Sequence, residues 1–193
     1  MEEKQPVAAD RIFKKVARPV WIVTAGTPAG RGGLVASWVM QTSIDPLAPR
    51  VVIGLAPNHH TAQLVDRSGA FALHLIGPHH IDHVWRFGIS TGAEHDKLAG
   101  LDARTGQTGS PILEECLAWF DCVVSDRHDG GDRLYFWGDV LACEELSGGP
   151  VLTEEGVFRL AHDSQKALLK RGLDEDIELH RTLRDRRRDQ PGT

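Results

Sequence analysis

Cysteine is scarce in this chain, and the way it is spaced excludes two classes of small protein. Cys116, Cys122 and Cys143 are the three present, an odd number with no Cys-x-x-Cys, which argues against a disulfide framework and against a zinc ribbon. They are expected as small buried hydrophobes. Also missing is any apolar run near the ~20 residues that span a bilayer, and Met1-Glu2-Glu3-Lys4-Gln5-Pro6 lacks the charged-then-apolar order of a signal peptide. No membrane contact is expected, and a cytoplasmic location is. Nor is positive charge in excess: the net charge is -5 and the pI about 6.0, so no global field draws nucleic acid or an anionic membrane surface.

What is present is enough for one sizeable core. The 193 residues are 41% hydrophobic, too few to promise two cores, so a domain over residues 1–160 and a helical, charged extension over 161–193 are expected. The stretch most at odds with a plain core is Gly33-Leu34-Val35-Ala36-Ser37-Trp38-Val39-Met40-Gln41-Thr42-Ser43-Ile44-Asp45-Pro46. It reads as a strand. Period-two alternation places Val35, Ser37, Val39 and Gln41 on one face and Leu34, Ala36, Trp38, Met40 and Thr42 on the other. Neither face is cleanly apolar, and an unpaired buried polar group costs about 1–3 kcal/mol. A bound polar molecule would satisfy the Ser, Gln and Thr; a sheet-edge strand with solvated Ser and Gln is the alternative that residue types leave open.

Residues 9–18 suit a short amphipathic helix starting near Asp10, apolar at Ile12, Phe13 and Val16 and ended by Pro19. Val20 to Ala25 is β-branched and aromatic, and the turn formers from Thr27 to Gly33 make a hairpin with the central strand. A phosphate loop is disfavoured there, because the Lys and the strand-to-helix context of a P-loop are missing. Arg50 to Ala56 reads as an interior strand that runs into Pro57-Asn58-His59-His60-Thr61 and a helix over 62–67, with Asn58 as N-cap. Free N–H groups and a partial positive charge make such a first turn a natural phosphate seat, to which Asn58, His59 and Thr61 would add side chains. An ordinary capped helix is the alternative.

Ala70 to Ile76 is a further strand, and Gly77-Pro78 opens a second helix through Ile81, Val84, Trp85 and Phe87. Its His79, His80 and His83 are expected to be solvated, and no metal is expected, since no carboxylate or Cys set completes a zinc pattern. Residues 88–111 read as a long irregular excursion with Asp96-Lys97 as its polar centre. Two long strands follow, Ile112 to Asp126 and Arg133 to Leu146, joined by a hairpin over 127–132. Strands interrupted by short helices, with hairpins at both ends, give a mainly β fold: an antiparallel barrel rather than a doubly wound sheet. Segment 174–189 holds six acids and five arginines, so a solvated helix or frayed tail is expected.

Several ordered motifs then agree. Pro19 to Ala25, Gly33 to Ser43 with Asp45-Pro46, Asn58-His59-His60-Thr61, Phe87-Gly88, Asp96-Lys97 and Gly138-Asp139-Val140 together resemble the flavin reductase-like, FMN-binding split-barrel proteins, over roughly residues 11 to 160. The form Ala-Ser-Trp-Val-x-Gln-x-Ser is similar to that of reductase domains fused to diflavin electron-transfer proteins and of flavoredoxins. The resemblance implies an antiparallel split barrel binding FMN, with FAD as the alternative. It implies Ala36, Ser37 and Trp38 beside the isoalloxazine ring, with Val39 in the same binding strand. Gln41, Thr42 and Ser43 would lie toward the ribityl chain and phosphate, and Asn58, His59 and Thr61 would hold the phosphate. It further implies a homodimer, NAD(P)H as electron donor, and a partner oxygenase or electron-acceptor protein. One departure stands out. Many such reductases have Gly-Asp-His where this chain has Gly131-Asp132-Arg133; Arg133 either pairs with a pyridine-nucleotide phosphate or solvates the hairpin, and solvation is the expectation.

Two functions follow from different classes: a flavin reductase in which NAD(P)H reduces flavin, or a module that keeps its FMN and exchanges electrons with another protein. A protein that only binds flavin or haem is a third. In the reductase the cofactor would carry the hard step while the protein supplies position and electrostatics, so no catalytic triad is expected.

Overall fold

The apolar runs of the chain become one large antiparallel sheet, hairpin by hairpin. The structure is a computed structural model that describes residues 5–89 and 95–188; residues 90–94 of the expected excursion and the last residue of the 174–189 segment lie outside them. Helix α1 (Gln5–Phe13) precedes β1 (Trp21–Thr27), β2 (Gly30–Ala36), β3 (Val39–Gln41) and β4 (Arg50–Leu55). Then come α2 (His60–Ser68), β5 (Ala70–Leu75), α3 (Ile81–Gly88), β6 (Ala103–Thr105) and β7 (Pro111–Leu113). The long hairpin β8 (Ala118–Asp129) and β9 (Leu134–Glu145) is followed by α4 (Glu154–Leu160) and α5 (Asp163–Arg188).

Strand order in the seven-stranded sheet is β2-β1-β5-β8-β9-β4-β3, while β6 and β7 pair separately. That order forces the sheet to curl. Flat, its two edges would stand roughly 28 Å apart at the usual interstrand spacing. Yet the edge strands β2 and β3 are joined by Ser37 and Trp38 alone, and the three Cα steps from Ala36 to Val39 reach about 11 Å at most. The sheet is therefore a half-closed barrel, and Ser37-Trp38 bridges its split. Register shifts between Asp121 and Cys122 and between Val124 and Asp126 supply the bulges that bend the long hairpin. The expected single strand over 33–46 is thus two strands, interrupted where the barrel changes edge.

Both faces of the central strands are buried, which explains their nearly continuous apolar sequence. Val23, Ile53, Phe71, Leu73, Cys122 and Phe136 fill the barrel interior with Ala62, Leu64 and Val65 of α2. Ile22, Ala72, Val84, Phe87, Leu98, Ile112 and Leu152 form a second cluster outside the sheet. Alternation puts Ile22 and Ala72 on the second, and Val23, Phe71 and Leu73 on the first.

Several expected boundaries move. Helix α1 begins at Gln5 rather than near Asp10, and Ile12, Phe13 and Val16 remain 60%, 65% and 60% exposed, because no core lies beneath them. The strand expected from Ile112 divides: β7 turns aside to pair with β6, and β8 starts at Ala118. Of the cysteines, Cys116 and Cys122 are buried as expected, with burial pushing the Cys116 thiol up to about 12 and raising that of Cys122 as well, so that both stay protonated. Cys143, near the outer end of β9, is exposed.

Candidate functional site

Where Ser37 and Trp38 cross the split, the protein surface opens into a cleft of about 610 Å³, within the range typical of small-molecule sites. The stretch Gly33 to Trp38 forms one wall. Gly54, Leu55 and Ala56 at the end of β4, and Asn58 to Thr61 at the start of α2, form the next. Val84 and Phe87 of α3, Lys97, Arg133 and one face of α5 complete it.

Trp38 is seated by the strand beside it. Its carbonyl accepts the Gly54 N–H at 2.9 Å, and a Cβ on Gly54 would come within 3.2 Å of both the Trp38 and Tyr135 rings. Glycine here gives the indole its place. Across that ring lies Arg133, its Cζ 4.7 Å from the ring centroid, a cation–π contact. Arg133 Nη1 also donates to the Asp132 carbonyl at 2.7 Å and lies 2.9 Å from the His180 imidazole. The expectation that Arg133 merely solvates the hairpin is therefore corrected: it is half-buried in the cleft.

The start of α2 differs from its expected form. His59, not Asn58, is the N-cap residue, and its side chain makes no capping hydrogen bond. The first-turn N–H groups, which no helix satisfies internally, therefore lack a side-chain cap at the cleft's edge. Thr61 is 2% exposed and faces the same space; Asn58 is exposed and His59 half-buried. Asp176 Oδ2 of α5 lies 3.7 Å from His59 Nε2, an ion-pair distance, and that imidazole is the largest cause holding the Asp176 carboxyl below the usual carboxylate range.

Of the residues singled out from sequence, the cleft brings together Ala36, Ser37, Trp38, Asn58, His59 and Thr61. Val39, Gln41, Thr42 and Ser43 lie elsewhere. Val39 packs against the barrel interior, Gln41 Nε2 donates to the Ser43 carbonyl at 2.7 Å, and Ser43 Oγ accepts the Arg50 N–H at 2.9 Å. These bonds run along the exposed edge of the sheet, where the Thr42 N–H donates to the Arg50 carbonyl at 2.9 Å.

The pair Asp96-Lys97 splits its roles. Asp96 is clasped by Arg31 at 2.9 Å, whose hydrogen bond is the main reason its carboxyl titrates low. Lys97 turns inward, 7% exposed, and its Nζ donates to the Phe87 carbonyl at 2.7 Å. Burial draws the Lys97 ammonium down to about 8. Among the histidines of α3, His83 is not solvated: it is 5% exposed, with Nε2 2.9 Å from the Glu115 carbonyl. Among the described residues, no group of His, Cys, Asp and Glu has metal-holding geometry.

Sequence reasoning missed Asp176 and His180, which it placed in a solvated tail. The available signal was spacing: Leu169, Leu173, Asp176 and His180 fall on one helical face, and charge counting hid it.

A half-closed antiparallel barrel with a ligand-sized cleft at its split defines the split-barrel class. The chain belongs to the flavin reductase-like family, for the profile described as "Flavin reductase like domain" matches residues 13–161. A putative diflavin flavoprotein of Nostoc sp. is 28% identical over 162 residues, 82% of this chain and 27% of that protein. An FMN reductase (NADH), RutF, of Agrobacterium fabrum is 33% identical over 129 residues, 67% of this chain and 70% of that one. The crystal structure of a nitrilotriacetate monooxygenase component B homologue from Mycobacterium thermoresistibile matches with TM-score 0.64 and 27% identity, over 76% of this chain and 79% of the other. The chain spans about a quarter of the diflavin flavoprotein's length. Helix α5 lies beyond the matched residues.

Proposed function

We propose that the cleft binds FMN and that the protein is an NAD(P)H-dependent flavin reductase, passing reduced flavin or electrons to a partner protein. The observation that carries this reading is the uncapped start of α2 beside His59, opening into the same cleft as the Ser37-Trp38 bridge. An anion seat and an aromatic, partly polar wall in one cavity fit a phosphorylated planar ligand. In this reading Ala36, Ser37 and Trp38 line the ring, while Asn58, His59, Thr61 and the first-turn N–H groups hold the phosphate. Val39, Gln41, Thr42 and Ser43 would join the set through a ligand or second subunit reaching over the exposed edge. FAD would need its adenosine to extend past that edge.

Bound flavin would supply the hydride-accepting ring. The protein's own residues position and screen: Trp38 walls the cleft, Arg133 places a fixed cation where a nucleotide phosphate would approach, and Lys97 adds a second buried charge. A homodimer is supported by the exposed apolar residues next to the bridge, with Met40 at 63%, Ile44 at 101% and Leu47 at 92% exposure. An oxygenase partner is supported by the relative named as a monooxygenase component. Among the described residues, no helix is long and apolar enough to cross a membrane.

A second reading, an FMN-retaining electron-transfer module, is favoured by Arg133 standing where the family resemblance implies His, with its guanidinium over Trp38. Anaerobic mixing of the FMN-loaded protein with NADH or NADPH separates the two. Rapid bleaching of the flavin band is the result expected of a reductase; bleaching by dithionite alone, with neither nucleotide acting over minutes, would leave the module.

Binding itself is tested by substitution. Ser37→Ala is expected to weaken flavin binding about threefold to tenfold, the worth of one hydrogen bond, and Trp38→Ala at least as much. Ser125→Ala should change nothing, since Ser125 Oγ accepts from Arg50 at 2.7 Å on the exposed hairpin. Equal dissociation constants across all three would remove the bridge from the site.

A further inference from the structure

The outer wall of the cleft is α5, a helix beyond the family match. Leu168, Leu169, Gly172, Leu173 and Asp176 border the cavity, and four-residue spacing stacks Gly172, Asp176 and His180 along one face. Two of these reach across the cleft. Asp176 pairs with His59, and His180 meets Arg133. Little apolar area backs these contacts: Leu169 packs on the second core cluster, but Leu173, Ile177 and Leu179 remain 53%, 39% and 37% exposed. A helix held by few buried apolar contacts opens at low cost.

We propose that α5 is a displaceable strap whose Asp176 occupies the phosphate end of the cleft, so that it sets the selectivity between phosphorylated and unphosphorylated flavins. The inference rests on the reading of the cleft as a flavin site. His59 stands at the uncapped start of α2, where a ligand's phosphate would sit, and its imidazole already faces a carboxylate of the chain itself. An incoming phosphate carries more negative charge than that carboxylate, and two anions beside one imidazole repel. FMN binding therefore requires Asp176 to leave, and moving Asp176 moves its whole helical face, releasing His180 from Arg133. Riboflavin, without the phosphate, enters under the strap. The volume left beneath α5 is large enough for a ligand while the strap is closed.

The test compares the full chain with Asp176→Asn, titrating each with FMN and with riboflavin by quenching of flavin fluorescence. The expected result is FMN binding about tenfold tighter in the variant, the effect of removing one like-charge contact, with riboflavin unchanged. Hydrogen exchange supplies a readout independent of affinity: amides over residues 168–180 of the unsubstituted protein should exchange faster with saturating FMN and not with riboflavin. An unchanged ratio of the two dissociation constants, or slower exchange in α5 with FMN, would overturn the strap and make the helix a fixed roof. Absence of binding by either flavin to either protein would overturn the flavin reading and the strap with it.

Discussion

Lowering the pH from about 7.5 to about 5 is expected to cost the fold about 2 kcal/mol through His74 alone, rising to about 3 kcal/mol by pH 4. His74 is completely buried on the face of β5 that it shares with Ala72 of the second core cluster, and burial is the main reason its pKa falls from 6.5 to about 4. Its partners fix a neutral tautomer. The Ile22 carbonyl at 3.1 Å can only accept, so Nδ1 carries the proton, and the Leu113 N–H at 3.0 Å can only donate, so Nε2 must stay bare. Protonation would set two donors face to face. The unfolded chain takes up a proton below 6.5 and the folded chain only near 4, so the unfolded state binds more protons across that window. Stability due to this difference is fully present above pH 6.5 and is lost as the pH falls toward 4. His80 and His180 are shifted the same way, mainly by burial, so the part due to His74 is read by difference. Urea midpoints at several pH values should show a clearly flatter acid slope in His74→Gln, which starts less stable at neutral pH. Equal slopes in the two proteins would mean that His74 is not the titrating group.

His74 also marks a limit of the sequence. The strand Ala70 to Ile76 was plain from its apolar run, but nothing local shows that one residue in it ties β1 to β7 across 52 and 39 positions. The same division runs through the whole chain. Hairpins, the interior strand Arg50–Leu55, and the helix closed by Gly69, whose φ is 65°, are short-range features that pattern and turn chemistry encode. The interruption at Ser37-Trp38 is not, since it arises from closure of a seven-stranded sheet that local alternation cannot sense. The polar residues of that stretch were a true signal with a mixed cause: Ser37 faces the cleft, whereas Gln41 and Ser43 are satisfied along an edge.

The cations of the site were legible only as residue types. Arg133 lies in a turn whose composition suits solvent, and it enters the cleft because Trp38 and His180 arrive from distant parts of the chain. Helix α5 was read by its nearly balanced charge, which describes its outer face. The inner face has only Leu169, Leu173, Asp176 and His180 to mark it, and a short stripe interrupted by Gly172 is easily lost among arginines and acids. For the same reason the N-cap moved by one residue: Asn58 has the better capping side chain, but the turn fixed by the His59 N–H donating to the Ala56 carbonyl at 3.1 Å starts the helix at His60.

Gly138→Ala is expected to be the most damaging small substitution in the barrel, costing about 3 kcal/mol, the upper part of the range for overpacking a core. Gly138 sits in β9 opposite Val51 on one side and Val124 on the other, so its backbone is fixed by both ladders. A Cβ there would lie 2.5 Å from Phe71 Cζ, 2.8 Å from Phe71 Cε1 and 3.1 Å from Cys122 Cβ. Neither neighbour can retreat. Phe71 and Cys122 are both 0% exposed, and the ring is enclosed by the same interior cluster that holds Val23, Leu73 and Phe136. The close approach lets a β5 side chain pass over β8 and reach β9, drawing the three strands into the curve that brings the sheet's edges together at Ser37-Trp38. Phe71→Leu removes the ring atoms that the new methyl would strike. The double variant should therefore be less destabilised than the sum of the two single changes by about 1 kcal/mol or more, a coupling that distant sites do not show. Gly30→Ala, where a Cβ meets nothing within 4 Å, is the control and should stay within about 0.5 kcal/mol of the unsubstituted protein. Chemical denaturation of the unsubstituted protein and the four variants decides: strict additivity of Gly138→Ala and Phe71→Leu would show that the ring is not what excludes a side chain at position 138.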